Sequence, residues 1–296
     1  MNPRTSDPSS SSPHSIRCGK QSLDLTTPSL MAVLNVTPDS FSDGGRWLAN
    51  NKPAVEKLTA EALRMCEAGA KILDVGGEST RPGASPVSLQ QELDRVIPTV
   101  EALVEASDAI VSVDTSSPEV MREAARVGAG LINDVRALQR DGAMDVAREC
   151  GLPVCLMHMQ GSPKSMQEMP TYSHPVKDVA DFLTKRVQAC VQAGLARDQI
   201  LIDPGFGFGK TLEHNLALLN GLGSLCSLGF PVLVGVSRKS MIGAITGKPT
   251  GQRLSGSLTL GLLALQNGAS ILRVHDVEET ADMLKIFQAA KDAEAV

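Results

Sequence analysis

The chain lacks an excess of positive charge. Its 28 Lys and Arg face 33 Asp and Glu, for a net charge of -5. That excludes a general nucleic-acid surface, which needs a basic stripe along one face. Local Arg and Lys clusters for small anions stay open. No apolar run reaches the length of a membrane span, so no membrane partner is expected. Six cysteines, at 18, 66, 150, 155, 190 and 226, show no metal-ligand spacing. They read as buried thiols of a cytoplasmic protein. The N-terminal stretch "MNPRTSDPSSSSPHSIRCGK" has no apolar core segment, which excludes a secretory signal.

What is present is ordinary soluble composition: 296 residues, 42% hydrophobic and 21% charged. Such a chain can bury one large core. Residues 1–22, rich in Ser and Pro, read as a disordered tail. Residues 23–296 read as one domain.

From Leu30 onward, strand-like and helix-like patterns alternate. "LMAVLNV", "KILDVGG", "AIVSVDT", "LIND", "PVCLMHM", "QILIDPG", "PVLVGVS" and "SILRVHD" are short apolar runs. Each is followed by an amphipathic segment. The first of these has Val55, Leu58, Ala62 and Met65 at helical steps, with Pro53 suited to its first turn. A later one opens on a Ser117 cap and Pro118. Strands apolar on both faces belong to a parallel sheet covered by helices. Eight strand–helix units predict a single closed (β/α)8 TIM barrel rather than the alternative, an open doubly wound sheet.

An internal repeat supports the barrel. "EAGAKILD", "RVGAGLIND" and "QNGASILRV" share a register. Gly69, Gly128 and Gly268 end helices in a left-handed conformation. Asp74, Asn133 and Arg273 follow five residues later. Other strands end in Asn35, Asp114, His158 and Asp203. A single polar strand end is a turn former; a ring of them marks the rim where barrel enzymes hold their chemistry.

The stretch "DPGFGFGKT" tests a competing idea. A phosphate-binding loop reads G-x-x-x-x-G-K-[ST]. Here Pro204 replaces the first glycine and removes the N–H that would face a phosphate. The G-x-G-x-x-G fingerprint fails as well. Asp203 is therefore the working group of this stretch, and Lys210 with Thr211 begins a helix.

Asp114, Asn133 and Asp203, at the ends of the third, fourth and sixth strands, converge in the mouth. Carboxylates beside an amide suit a flat heterocycle with donors and acceptors, such as a 2-amino-4-oxo ring. Buried carboxylates need partners of that kind. Lys239, after the seventh strand, could form a Schiff base or hydrogen-bond a ring acceptor. Arg273 and His275 lie two residues apart on the last strand, which points them to one side and suits a phosphate. An Arg273–Asp276 bridge is the bland alternative. Asn35 offers a neutral oxygen, suited to Mg2+ otherwise held by waters and phosphates. Two loops, "NVTPDSFSDGGRW" and "GGESTRPGASPVS", have the composition of mobile lids over a site.

Five motifs in order, "LNVTPDSFSDGG", "DVGGESTRPGA", "DPGFGFGKT", "GVSRKS" and "RVHDV", resemble the dihydropteroate synthase family over about Leu30 to Lys285. The resemblance implies condensation of (7,8-dihydropterin-6-yl)methyl diphosphate with 4-aminobenzoate. Diphosphate would leave first, and the arylamine would capture a pterin methyl cation. It implies a pterin held by Asp114, Asn133, Asp203 and Lys239, with Asp203, Lys239 and Asp114 carrying the catalysis. It implies a diphosphate met by Asn35 with Mg2+, Thr80, Arg273 and His275. It places 4-aminobenzoate near Arg81, Pro82, Phe208, Lys239 and Ser240, and it implies a homodimer formed through the later helices. The rivals are a pterin-dependent methyltransferase and a non-catalytic pterin-binding paralogue.

Overall fold

The eight apolar runs form parallel strands in the computed structural model, which describes residues 12–37, 48–49, 52–79, 87–161, 166 and 170–294. The strands are β1 (Ser29–Asn35), β2 (Ile72–Gly76), β3 (Ile110–Asp114), β4 (Leu131–Asp134), β5 (Val154–Met157), β6 (Ile200–Asp203), β7 (Leu233–Val234) and β8 (Ile271–Val274). Neighbours in the chain pair in parallel from β1 to β6, and β7 pairs with β8, which pairs with β1. A parallel bridge between Ile202 and Val232 joins the remaining pair and closes the ring. Closure removes the exposed edges an open sheet would leave. The expected barrel is the fold; the doubly wound alternative is not.

Among the described residues ten helices surround it: α1 (Val55–Glu67), α2 (Leu89–Ala106), α3 (Pro118–Arg126), α4 (Ala143–Cys150), α5 (Pro175–Gln192), α6 (Leu212–Asn220), α7 (Leu222–Cys226), α8 (Ser240–Thr246), α9 (Leu254–Gln266) and α10 (Val277–Glu294). In α1, Leu58 and Ala62 are buried, as their spacing requires. Pro53 is not in its first turn; it ends a short antiparallel pair, Leu48–Ala49 with Lys52–Pro53. Ser117 occupies the cap position of α3, yet its hydroxyl does not cap. It donates instead to the buried Glu92 carboxylate at 2.9 Å. Gly69, Gly128 and Gly268 do take positive φ, at 117, 106 and 98°.

The core has two layers because strand side chains alternate faces. Leu73, Val113, Ile132 and Ile202 point outward and pack with helix residues such as Leu58, Val96 and Met121. Met31, Ile72, Ile110, Leu131, Cys155, Leu201, Leu233 and Ile271, one from each strand, form the inner layer. Ile16, Cys18 and Leu23 join that same inner layer.

Those three residues correct the expected tail. Ser15–Cys18 and Gln21–Asp24 form an antiparallel hairpin with Ile16 opposite Leu23. The hairpin plugs the barrel floor. Its apolar positions, at 1–3% exposure, are as buried as the strands above them. A disordered segment cannot extend to residue 22, and residues 1–11 lie outside the described residues.

Candidate active site

Counting upward from the inner layer in steps of two places the polar groups. Ile72 leads to Asp74, Leu131 to Asn133, Leu201 to Asp203 and Ile271 to Arg273; Ile110 leads in two such steps to Asp114, and Met31 to Asn35. Apolar floor and polar mouth are thus consecutive tiers of the same strands.

Arg273 is the hub. Its Nε–H donates to Asp74 Oδ2 at 2.6 Å, and a terminal nitrogen donates to Asp114 Oδ2 at 2.8 Å. Asn133 Nδ2 donates to the same Asp74 oxygen at 3.1 Å. The three residues of the repeat register therefore meet in one network. Asp74 is fully buried, and its other oxygen has no hydrogen-bond partner among the described residues. The Arg273–Asp276 bridge does not form; Asp276 pairs with Arg238.

Burial pushes the Asp114 carboxyl up to about 7, against the pull of the Arg273 guanidinium. Burial also raises Asp203, although a 2.7 Å bond from the Gly205 N–H and the nearby charge of Lys239 oppose it. Burial disfavours the charge on Arg273, but Asp74 and Asp114 overcome that and hold the guanidinium protonated. In both Asp114 and Asp203, burial disfavours the charged form and neighbouring cations favour it.

The rim above β7 is braced from several sides. Arg238 has a positive φ of 56°, a conformation that costs a non-glycine residue about 1–2 kcal/mol. Asp276 grips its guanidinium, and its N–H donates to Ser257 Oγ at 2.9 Å. Arg253 donates to the carbonyls of Arg238 and Lys239 at 3.1 and 3.3 Å. The brace delivers Lys239, whose Nζ lies 4.3 Å from the centroid of the Phe208 ring. Just past the end of β8, His275 Nδ1 lies 3.1 Å from Ser237 Oγ.

A cavity of about 630 Å3 opens at this mouth. Its lining includes Asn35, Asp114, Asn133, Asp203, Phe208, Lys239, Ser240, Arg273 and His275. That volume falls in the usual range for small-molecule sites. Thr80, Arg81 and Pro82, with the centres of both lid-like loops, lie outside the described residues. Among the described residues, no group of three or more His, Cys, Asp or Glu could hold a metal, and no helix is long and apolar enough to cross a membrane.

The sequence profile of the family described as "Pterin binding enzyme" matches residues 31–275. The dihydropteroate synthase of Haemophilus influenzae is 52% identical over 271 residues, covering 92% of this chain and 97% of that one. The crystal structure of the Yersinia pestis dihydropteroate synthase in a sulfonamide drug complex superposes with a TM-score of 0.90, at 48% identity, covering 94% of this chain and 99% of that one. The Xanthomonas albilineans dihydropteroate synthase in complex with 7,8-dihydropteroate superposes with a TM-score of 0.83, at 46% identity, covering 94% and 98%. The chain belongs to the dihydropteroate synthase family. The methyltransferase and paralogue readings give way to it.

Within this dihydropteroate synthase fold, two residues were missed by reading the sequence for a site. Asp74 was visible as a member of the repeat, but a shared register gives position and not pairing. Lys210 was read as a helix start. It is Thr211 that caps α6, accepting from the His214 N–H at 3.2 Å. Lys210 itself is 3% exposed, inside the loop between β6 and α6.

Proposed function

We infer that this barrel mouth joins (7,8-dihydropterin-6-yl)methyl diphosphate to 4-aminobenzoate, releasing diphosphate and 7,8-dihydropteroate. The observation that carries the reading is the set Asp114, Asn133, Asp203 and Arg273 converging in one cavity. A 2-amino-4-oxo ring offers N–H donors to carboxylates and a carbonyl and ring nitrogens to Asn133 and Lys239. Asp114 accepts from the ring once ionised, and Arg273 stabilises that ionised form from behind.

The C–O bond to diphosphate breaks first, and both electrons leave with the oxygen. Positive charge spreads into the pterin, where Asp203 stabilises it. The arylamine nitrogen then gives its lone pair to the methylene carbon and afterwards loses a proton. An arylamine is neutral at pH 7, so no strong base is required. Arg273 and His275 meet the departing diphosphate, with Thr80 completing that side. Phe208, Lys239 and Ser240 with Arg81 and Pro82 receive 4-aminobenzoate.

Mg2+ fits this arrangement as a partner of the diphosphate. Asn35 supplies one neutral oxygen at the cavity wall, and the remaining ligands would be phosphate oxygens and waters, as Mg2+ favours. When bound, the ion would neutralise charge on the leaving group.

A homodimer through the later helices is supported by apolar side chains left exposed there: Ile245 on α8, Leu263 on α9 and Ile286 on α10. Sedimentation equilibrium at the 31.2 kDa mass of one chain would reject it. All six cysteines are free, which supports a reducing, cytoplasmic location. The pterin reading is tested by titrating a pterin analogue into the protein in a calorimeter. Asp114→Asn and Asp203→Asn should each weaken binding by at least about tenfold, the scale of a charge-assisted hydrogen bond. Unchanged affinity in both would reject the pterin pocket.

A further inference from the structure

Lys210 carries a buried amine that the proposed chemistry does not use; burial lowers it to about 7 against the pull of the Asp203 carboxylate, and the charge of Lys239 lowers it further. Its Nζ lies 2.8 Å from the Gly205 carbonyl oxygen, 3.0 Å from that of Phe208 and 2.9 Å from His158 Nδ1. The His158 carbonyl oxygen is a longer contact at 3.4 Å. An ammonium has three N–H donors and no acceptor, and three close acceptors surround it. His158 is an acceptor because burial, and then the charge of Lys210, lower its ring to about 3 and keep it neutral. Among the described residues no carboxylate forms a salt bridge with Lys210; its partners are carbonyls and one ring nitrogen.

Those partners come from two different places. Gly205 and Phe208 belong to the glycine loop after β6, and His158 follows the end of β5. The ammonium therefore draws the turn carrying Phe208 against the neighbouring strand. Secondary ties complete the cage: the Gly207 N–H donates to Asn215 Oδ1 at 2.7 Å, and Tyr172 Oη donates to the Gly209 carbonyl at 2.7 Å. Gly205 and Gly209 have φ of 69 and 59°, and a Cβ on either would strike the carbonyl oxygen of His158 or Gln160. The backbone is pulled that close to its neighbour, which only glycine permits. Phe208 is only half-buried, so its ring is located mainly by this backbone.

We propose that Lys210 is a positioning residue: its buried ammonium fixes the loop that presents the Phe208 ring to the arylamine, and so sets selectivity for the second substrate. The proposal rests on the reading that Phe208 receives 4-aminobenzoate. The pterin groups Asp114 and Asn133 stand on β3 and β4 and are held by Arg273 and Asp74, none of which touches Lys210; Asp203 is tied to this loop, through the Gly205 N–H and the charge of Lys210.

The consequence is a split between the two substrates. Lys210→Met keeps the stem and removes the donors. In steady-state assays of the full chain it should raise KM for 4-aminobenzoate by at least about tenfold, since small misplacements are costly in a preorganised site. Pterin-analogue affinity by calorimetry should change by less than about threefold, because Asp114, Asn133 and Arg273 share no partner with Lys210 and the tie to Asp203 runs through one backbone N–H. An unchanged KM for 4-aminobenzoate, or equal losses for both ligands, would overturn the proposal. A Lys210→Met chain that does not fold passes the question to Tyr172→Phe, which loosens the same loop without disturbing a charge. KM for 4-aminobenzoate should rise there with pterin affinity kept, and no rise would overturn the proposal equally. Phe208→Ala separates the underlying reading: if it leaves KM for 4-aminobenzoate unchanged, the assignment of Phe208 fails, whatever Lys210 does.

Discussion

Truncating Leu23 to Ala probes the plug in the barrel floor. Leu23 is 3% exposed and faces Ile16 across the hairpin, against the inner ends of the strands. A buried Leu→Ala change typically costs about 2–5 kcal/mol, depending on how far the site can collapse. A two-stranded hairpin at the end of a barrel can settle inward, so the lower half of that range, about 2–3 kcal/mol, applies here. For a chain of this length each kcal/mol moves Tm by about 2 °C, so the midpoint should fall by about 4–6 °C. Urea denaturation followed by far-ultraviolet circular dichroism reads the same loss as a lower midpoint with an unchanged slope. Ser22→Ala, on the exposed side of the same strand, is the control and should stay within about 0.5 kcal/mol. Deletion of residues 2–11 should leave stability intact, whereas deletion of 2–20 removes Ile16 and Cys18 and should not. Leu23→Ala indistinguishable from Ser22→Ala would refute the plug and restore the disordered-tail reading.

Asp203→Asn is nearly isosteric, so the fold should survive while turnover falls by about two orders of magnitude or more, the scale of a lost preorganised charge; near-wild-type kinetics would reduce Asp203 to a turn residue. Asp114 rises from 3.8 to about 7 in the folded chain, and its carboxylate is the form that accepts from the pterin. Pterin-analogue affinity should therefore fall by about tenfold per pH unit below that value, and Asp114→Asn should flatten the profile. The same raised value sets the sign for stability: this group's contribution is full below the ordinary carboxylate range and is lost as pH rises through about 7. Lys239→Arg should lose most activity, because a planar guanidinium does not replace a compact ammonium. Borohydride added with both substrates should leave no adduct on Lys239, and a trapped adduct would restore the Schiff-base reading.

The barrel was legible because eight apolar runs alternate with helical periodicity, and that alternation reports directly on which faces are covered. The polar ring was legible for the same reason: Asn35, Asp74, Asp114, Asn133, Asp203 and Arg273 all interrupt apolar runs at their upper ends. What periodicity cannot supply is pairing. Arg273 had Asp276 three residues away as a candidate partner, yet it bonds to Asp74 and Asp114, 199 and 159 residues distant. The hairpin escaped because only Ile16, Cys18 and Leu23 carry its pattern, within a segment whose composition signals disorder. Lys210 escaped because its burial depends on carbonyls turned inward by three glycines, and backbone acceptors leave no trace in residue type. Ser117 had the residue type of a cap, but Glu92 on a different helix competes for its hydroxyl.

The central claim is that one cavity brings a pterin methyl diphosphate and an arylamine together and exchanges C–O for C–N. Incubating the full chain with (7,8-dihydropterin-6-yl)methyl diphosphate, 4-aminobenzoate and Mg2+, and analysing the mixture by mass spectrometry, tests it directly. The account predicts 7,8-dihydropteroate and one equivalent of diphosphate, with formation abolished when either organic substrate is omitted. Pterin and arylamine recovered unjoined, although calorimetry shows both bound, would contradict it.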